Sequence, residues 1–449
     1  MKKYLLKTLQ ATLFFLARRI INRYAPEVVA ITGSVGKTST KEAIFAALIG
    51  QPNEKIKGVR KSKGNFNNEI GAPLAIIGDF KDEDLKIISR DQPVGTKKFQ
   101  KIIFWLKAIL MGKFYAFWPF KPNYPQILIL EYGADKPGDI KNMLSMARPK
   151  VAVITAVGEI PAHVEFYQGP EEVAKEKAKI LEPLSVNGFA ILNFDDKKVF
   201  EMKEKTRAKI ITFGFDEGAD IKISNFENRS FEGKPQGISF KIEYEGNFVP
   251  VFLKNVLGRA QAYASAAAFA VGVSFGLNIV EIADSLERNY YPPKRRTNIL
   301  EGIKKTFVID DSYNASPLSV REALEILKSL EAKRKVAVLG DMLELGEFSI
   351  EAHQKIGKIA GQVADVLITA GPRAKFIAEK AKAEGLSEDS IYIFDSATEV
   401  CEKIKSIIKE GDLILVKASR SIGLDKVVEE LRSTINKQQL TINDDKNDA

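Results

Sequence analysis

The stretch Val28-Val29-Ala30-Ile31-Thr32-Gly33-Ser34-Val35-Gly36-Lys37-Thr38-Ser39 decides how the fold is read. An apolar run gives way to two glycines, a lysine and hydroxyl side chains, and a helical pattern opens near Lys37. Glycines at a strand-to-helix turn let backbone amides curl around phosphate oxygens, and the helix N-terminus adds a favourable dipole. Gly33, Ser34, Val35, Gly36, Lys37, Thr38 and Ser39 are therefore expected to bind ATP, with Lys37 on the β- and γ-phosphates and Thr38 on Mg2+. The pattern is one glycine short of a full P-loop, because Ile31 stands where the first glycine falls. A Gly-Ser turn beside a solvated lysine would share this composition but would not need the flanking strand and helix.

Outward from the loop, Val28–Thr32, Ile127–Glu131, Val151–Val157 and Phe189–Asn193 read as buried strands. Helical patterns or long loops separate them, the alternation of a largely parallel α/β sheet. From Asp220 to Leu253 the pattern alternates apolar and polar with glycine punctuation, which predicts antiparallel ribbons. An alanine-rich helix over Ala260–Val273 follows, and Tyr291-Pro292-Pro293 breaks the chain. Beyond the break, Phe307–Asp310, Val336–Leu339, Val366–Thr369, Ile391–Phe394 and Leu413–Val416 read as strands of a second α/β unit. The expected fold class is thus α/β. A P-loop central domain (28–292) with a mostly parallel sheet plus antiparallel ribbons precedes a Rossmann-like C-terminal domain (293–436). A basic amphipathic helix over 1–27 precedes both, and a polar tail over 437–449 follows.

Composition sets outer bounds. A chain of 449 residues suggests two or three domains, and 45% hydrophobic with 28% charged residues is ordinary for a globular protein. The single cysteine, Cys401, excludes an intramolecular disulfide and a four-cysteine zinc site, and points to a reducing cytoplasm. With 67 basic against 58 acidic residues the net charge is +9, which suits anionic substrates, a membrane surface or nucleic acid alike. Residues 1–24 carry an apolar stretch, but Lys7 and Gln10 interrupt it and Arg18-Arg19 follow without a small-residue cleavage site. No run reaches the ~20 uninterrupted apolar residues of a bilayer span.

Several polar residues stand where chemistry is expected. Glu131 ends a strand, at the edge where open α/β sheets bind ligands, and could hold magnesium. Pro170, Glu171 and Glu172 make a helix start, after which Val173, Ile180, Leu181 and Leu184 define one apolar face. Lys177 lies in the middle of that face, while Lys175 and Lys179 point away. It is either a snorkelling side chain or one that is chemically modified or paired with a buried anion. His163, one of two histidines with His353, falls in the loop before that helix; it is either structural or a ligand on the Glu131 edge. The cluster Gly64-Asn65-Phe66-Asn67-Asn68-Glu69-Ile70-Gly71 suits hydrogen bonds to a polar ligand, or forms an Asx-rich turn.

Together these residues resemble the Mur ligase superfamily, and its MurF type most closely. The resemblance rests on Ile31–Thr38, Gly64–Gly71, Glu131-Tyr132-Gly133-Ala134 and Leu192-Asn193-Phe194-Asp195-Asp196. It continues through Asp310–Pro317, Leu339–Gly346 and Val416-Lys417-Ala418-Ser419-Arg420, so it runs in family order from about 28 to 430. The resemblance implies an ADP-forming amide ligase of cytoplasmic cell-wall precursor synthesis. ATP would phosphorylate a carboxylate, and the amine of D-Ala-D-Ala would attack the acyl phosphate of a UDP-MurNAc-tripeptide. Two Mg2+ ions are implied, one on Thr38 and Glu131, the other on His163 and a CO2-derived carbamate of Lys177. Lys37, His163 and Lys177 are the implied catalytic residues. Arg296 and Asp311 match a linker arginine and a ribose-binding aspartate, and Asn65, Asn67, Asn68, Tyr313 and Asn314 match substrate contacts.

Three departures qualify the match. Gly258-Arg259-Ala260-Gln261-Ala262-Tyr263-Ala264 keeps the family's glycine but not its Asn and His, leaving Gln261 as the candidate adenine contact. Ala418 stands where glycine is common. Only about 28 residues precede the ATP loop, where MurF enzymes carry a uridine-binding domain. Those residues place Leu5, Leu9, Leu13, Leu16 and Ile20 on one helical face with Lys7 and Arg18 opposite, and Lys97–Trp118 interleaves lysines with aromatics. Either both segments meet the inner membrane surface, or both pack on the protein and complete its core. Nucleic acid is not an expected partner. Rival functions are another Mur-type ligase, extending a poly-amino-acid or folate chain, and a nucleotide-dependent membrane-associated scaffold.

Overall fold

The structure is a computed structural model that describes residues 2–51, 56–64, 69–88 and 98–432. Asn65, Asn67, Asn68, Lys97 and the tail 437–449 lie outside the described residues. Nine strands form the first sheet: β1 (Glu27–Thr32), β2 (Val59–Lys61), β3 (Ile127–Glu131), β4 (Val151–Ile154), β5 (Phe189–Asn193), β6 (Lys209–Gly214), β7 (Ile221–Phe231), β8 (Lys234–Tyr244) and β9 (Asn247–Lys254). Their order is β2-β3-β1-β4-β5-β6-β7-β8-β9. The pairs are parallel as far as β7, and β7, β8 and β9 close as antiparallel ribbons. The second sheet is β10 (Asn298–Glu301), β11 (Phe307–Asp310), β12 (Lys335–Gly340), β13 (Val366–Ala370), β14 (Ile391–Phe394) and β15 (Leu413–Lys417), in the order β10-β11-β15-β12-β13-β14. Only β10 runs antiparallel to its neighbour.

Strand β1 is buried on both faces, as a continuous apolar run in a parallel sheet demands. Val28 and Ala30 enter one apolar cluster, and Val29 and Ile31 the other. The helices Lys37–Leu48 and Arg259–Ser274 cover the second face. The first is covered by α1 (Lys2–Tyr24), by Gly71–Ile77, by Lys98–Phe117 and by Asp139–Met146. Because β1 lies between β3 and β4, the loop after Thr32, the end of β3 at Glu131 and the turn at Thr155 meet at one sheet edge.

The strand expected to reach Val157 stops at Ile154; Thr155 N–H still donates to Thr32 O at 3.0 Å, but its hydroxyl donates to the carbonyl of Val35 at 2.5 Å and Ala156 pairs with the loop instead. Leu13, Leu16, Ala17 and Ile20 of α1 are buried, as are Phe104, Ala108 and Ala116 of Lys98–Phe117. Both N-terminal segments therefore contribute to the core. The opposite face of Lys98–Phe117 remains exposed and apolar.

Candidate active site

The loop of residues 33–36 is held by the turn that follows β4. Ser34 N–H donates to Ala156 O at 2.6 Å, and a Cβ on Gly33 would meet Thr155 Oγ1 at 2.0 Å, so only glycine fits there. Gly36 adopts φ 90°, a left-handed conformation that glycine takes without strain, and turns the chain into the helix Lys37–Leu48. The N-cap residue Gly36 makes no side-chain cap among the described residues, which leaves the first amides of the helix available to an anion. Lys37 folds back over the loop, its ammonium donating to Gly33 O at 2.6 Å; burial lowers its pKa, opposed by the charges of Glu131 and Asp135.

Glu131 is buried at the end of β3. Thr38 Oγ1 donates to Glu131 Oε2 at 3.4 Å, and Lys41 Nζ stands 2.9 Å from Oε1 while also donating to Gly64 O at 2.6 Å. A hydroxyl and a carboxylate beside an uncapped helix N-terminus are the hard oxygen ligands that Mg2+ prefers. Among the described residues no group of three His, Cys, Asp or Glu side chains could hold a metal alone. The residues therefore fit a metal that shares its coordination with phosphate oxygens and water, as in a Mg-nucleotide complex.

Lys177 faces inward because its helix, Pro170–Ala178, is anchored by its neighbour. Buried Glu176 accepts the amides of Gly138 and Ile140, both at 3.0 Å, and so caps the helix Asp139–Met146. Lys177 is 1% exposed, and no ion pair or hydrogen bond engages its amine among the described residues. Burial pushes that amine down to about 7, helped by the charge of Lys37 and opposed by Asp135. A neutral, nucleophilic amine at neutral pH is what carbamate formation requires.

His163 sits in a left-handed turn (φ 67°) with Nε2 3.5 Å from Asp135 Oδ1 and Nδ1 2.5 Å from Glu344 Oε2. Glu344 comes from the C-terminal unit, so this contact joins the two sheets' domains. His163 holds the Glu344 carboxyl below the usual carboxylate range. Lys37 also feels the positive charge of Arg296, which brings the linker to the same centre. The Arg296 guanidinium lies 4.4 Å from the Tyr313 ring centre, and Arg420 donates to the Tyr313 hydroxyl at 3.0 Å. Asp311 is ion-paired with buried Lys417, whose amine also donates to Asn314 O at 2.9 Å.

A cavity of about 490 Å³ opens beside the loop, lined by Gly36, Asn193, Tyr263, Leu318, Arg321 and Glu322 among others. Gln261, expected at the adenine, does not line it. Its amide is spent on Thr297 Oγ1 (3.2 Å) and on the Tyr290 hydroxyl (2.5 Å), which tie the helix Arg259–Ser274 to the linker. Tyr263 takes the cavity wall instead, its hydroxyl donating to Asp195 at 2.6 Å. Sequence reading missed Lys41, Asp135 and Glu344. Lys41 had a signal in its place one turn after Lys37, on a helix whose start was already read.

A P-loop edge shared with a strand-end carboxylate, a buried lysine and a histidine, under a second α/β unit, defines an ADP-forming ligase of the Mur type. Residues 117–272 match the Mur ligase middle domain and residues 295–420 the glutamate ligase domain of Mur ligases. The chain belongs to the Mur ligase superfamily, and within it is most like MurF. It is 28% identical over 420 residues to the UDP-N-acetylmuramoyl-tripeptide--D-alanyl-D-alanine ligase of Bacillus subtilis (strain 168), covering 93% of this chain and 78% of that protein. The Escherichia coli (strain K12) protein of the same name is 27% identical, with 93% and 79% covered. The crystal structure of MurF ligase from Thermotoga maritima in complex with ADP superposes with a TM-score of 0.73 at 26% identity, covering 96% of this chain and 84% of that one.

Proposed function

We propose that the chain joins D-Ala-D-Ala to UDP-MurNAc-tripeptide, with ATP converted to ADP and phosphate. The observation that carries this reading is the convergence of Lys37, Glu131, His163 and buried Lys177 on one sheet edge, beneath a domain that brings Arg296 and Asp311. The uncapped helix start and Lys37 bind the β- and γ-phosphates, and Lys37 leaves Gly33 O to do so. Thr38 and Glu131 would hold one Mg2+, and His163 with a carbamate on Lys177 would hold the second. Such ions would supply positive charge against the phosphoryl group during its transfer. The amine of D-Ala-D-Ala then attacks the acyl phosphate carbon, its nitrogen releases a proton to water as the amide forms, and phosphate leaves with its bonding electron pair.

Lys41 keeps the Glu131 carboxylate oriented, and Asp135 keeps the His163 ring turned towards the site. The cavity beside Tyr263 receives the nucleoside, and the Tyr313 ring, held by two guanidiniums, borders the acceptor side. The reaction takes place in the cytoplasm, at the inner membrane surface. ADP release is expected only when UDP-MurNAc-tripeptide and D-Ala-D-Ala are both present. Turnover with glutamate or folate substrates in place of that pair would assign the chain to another branch of the superfamily.

A further inference from the structure

The helix Lys98–Phe117, called α2 below, is apolar on two opposite faces. Phe104, Ala108 and Ala116 bury one face against α1 and the body of the protein. On the other face Phe99, Ile102, Ile103, Leu106, Leu110 and Phe117 fall at helical spacing, and all are exposed, Phe99 by 73% and Leu110 by 64%. A surface helix ordinarily turns polar residues outward. Here the outward stripe continues across Trp118 and Phe120 and onto α1, where the Phe15 ring stacks on Phe117 at 6.4 Å. Nine large apolar side chains in one band make roughly a thousand Å² of exposed apolar surface, beyond the few hundred typical of a monomer.

The two segments that carry this band are one-sided in charge, although the neighbouring helix Asp82–Ile88 presents Asp82, Glu83 and Asp84. Residues 1–26 and 92–130 contain twelve of the 67 Lys and Arg and none of the 58 Asp and Glu. The remainder of the chain holds 55 basic against 58 acidic residues, so these two segments account for the whole positive excess. Lys101 and Lys113 lie on the same helix, Arg19 lies 5.3 Å from the Phe117 ring centre, and Arg23 donates to the carbonyls of Trp118 and Phe120, which fixes the aromatic end. Lys107 pairs with Asp84 at 2.7 Å, an acidic contact from outside the two segments.

We propose that this band is a docking surface for an anionic phospholipid bilayer, with the apolar stripe entering the headgroup boundary and the basic rim meeting lipid phosphates. Apolar area and cationic flanks both strengthen such adsorption, and exposed tryptophan favours the same depth. No helix among the described residues is long and apolar enough to cross a membrane, so the contact is with the surface. A second copy of the chain would set one basic rim against another, which disfavours self-association through this face. The inference is independent of which acceptor the ligase uses.

The test is sedimentation of the full chain with vesicles in the absence of substrates. Vesicles of phosphatidylglycerol and phosphatidylcholine in equal parts should pellet the protein about tenfold more than phosphatidylcholine alone. The difference should shrink in high salt, and tryptophan emission should shift to the blue. The double variant Leu106→Glu/Leu110→Glu should abolish pelleting, and Lys101→Gln/Lys113→Gln should remove the preference for anionic lipid while keeping the fold. Equal pelleting with both lipids, or pelleting retained by Leu106→Glu/Leu110→Glu, would overturn the proposal. So would a soluble dimer that the same substitutions dissociate without any vesicle binding.

Discussion

Lys177 shows how one buried side chain can demand a chemical explanation. Its amine is enclosed, unpaired among the described residues and held near 7, so CO2 addition converts a poorly solvated base into an anion able to accept metal. Lys177→Ala is expected to lower turnover about a hundredfold or more. Acetate or propionate, supplying the missing carboxylate, should restore part of it; a variant with unchanged turnover would remove the carbamate from the mechanism. Glu322, on the cavity wall, gives a separate signature. Burial raises its carboxyl to about 7, so the folded protein holds this proton up to that pH, whereas the unfolded chain releases it near the ordinary value of 4.5. Between those values the folded state binds more protons, and stability falls as pH rises. Glu322→Gln should flatten the decline in Tm between about pH 5 and 7. An unaltered slope would mean that the carboxyl ionises like an exposed one.

At the scale of elements, the contact between loops 163–167 and 341–348 couples the two sheets. Glu165 N–H donates to Glu344 O at 3.3 Å, and the Glu344 side chain reaches His163. The loop itself is rigid: Met342 N–H donates to His353 Nε2 at 3.0 Å and Leu343 N–H to Ser419 Oγ at 2.9 Å. A half-exposed ion pair contributes at most about 1 kcal/mol, a factor of about five in domain opening. Glu344→Ala should therefore speed tryptic cleavage in the linker at Lys294, Arg295 and Arg296 by up to about that factor; equal cleavage would show that the pair does not restrain the linker. This contact was not legible in the sequence, since 181 residues separate its partners and no local period links them. The long parallel strands were legible because burial on both faces makes continuous apolar runs. Val59–Lys61, Lys209–Gly214 and Asn298–Glu301 were missed for the converse reason: short or half-polar, they are strands only because a neighbour's ladder recruits them. The partners of Gln261 were not legible because motif position says where a residue lies on a helix, not which of its neighbours claims its amide.

For the whole molecule, the two N-terminal helices combine structural and outward-facing roles, and substitutions can separate them. Leu16 is 2% exposed in α1 and packs on Gly112 of the facing helix, within the cluster that covers one side of the first sheet. Removing its methyl groups leaves a cavity in a close-packed interior, so Leu16→Ala should lower unfolding free energy by about 2–5 kcal/mol. Leu106 lies on the same pair of helices but is 56% exposed, and Leu106→Ala should change stability by no more than about 0.5 kcal/mol. Denaturant unfolding of the two variants compares them directly. If Leu106→Ala destabilises as much as Leu16→Ala, the outward stripe is part of a core that the free chain covers in solution, and its exposure does not persist. If only Leu16→Ala destabilises, the stripe contributes nothing to folding. Its apolar character must then answer to something outside the chain, because exposed leucine and phenylalanine at helical spacing add no stability of their own in water.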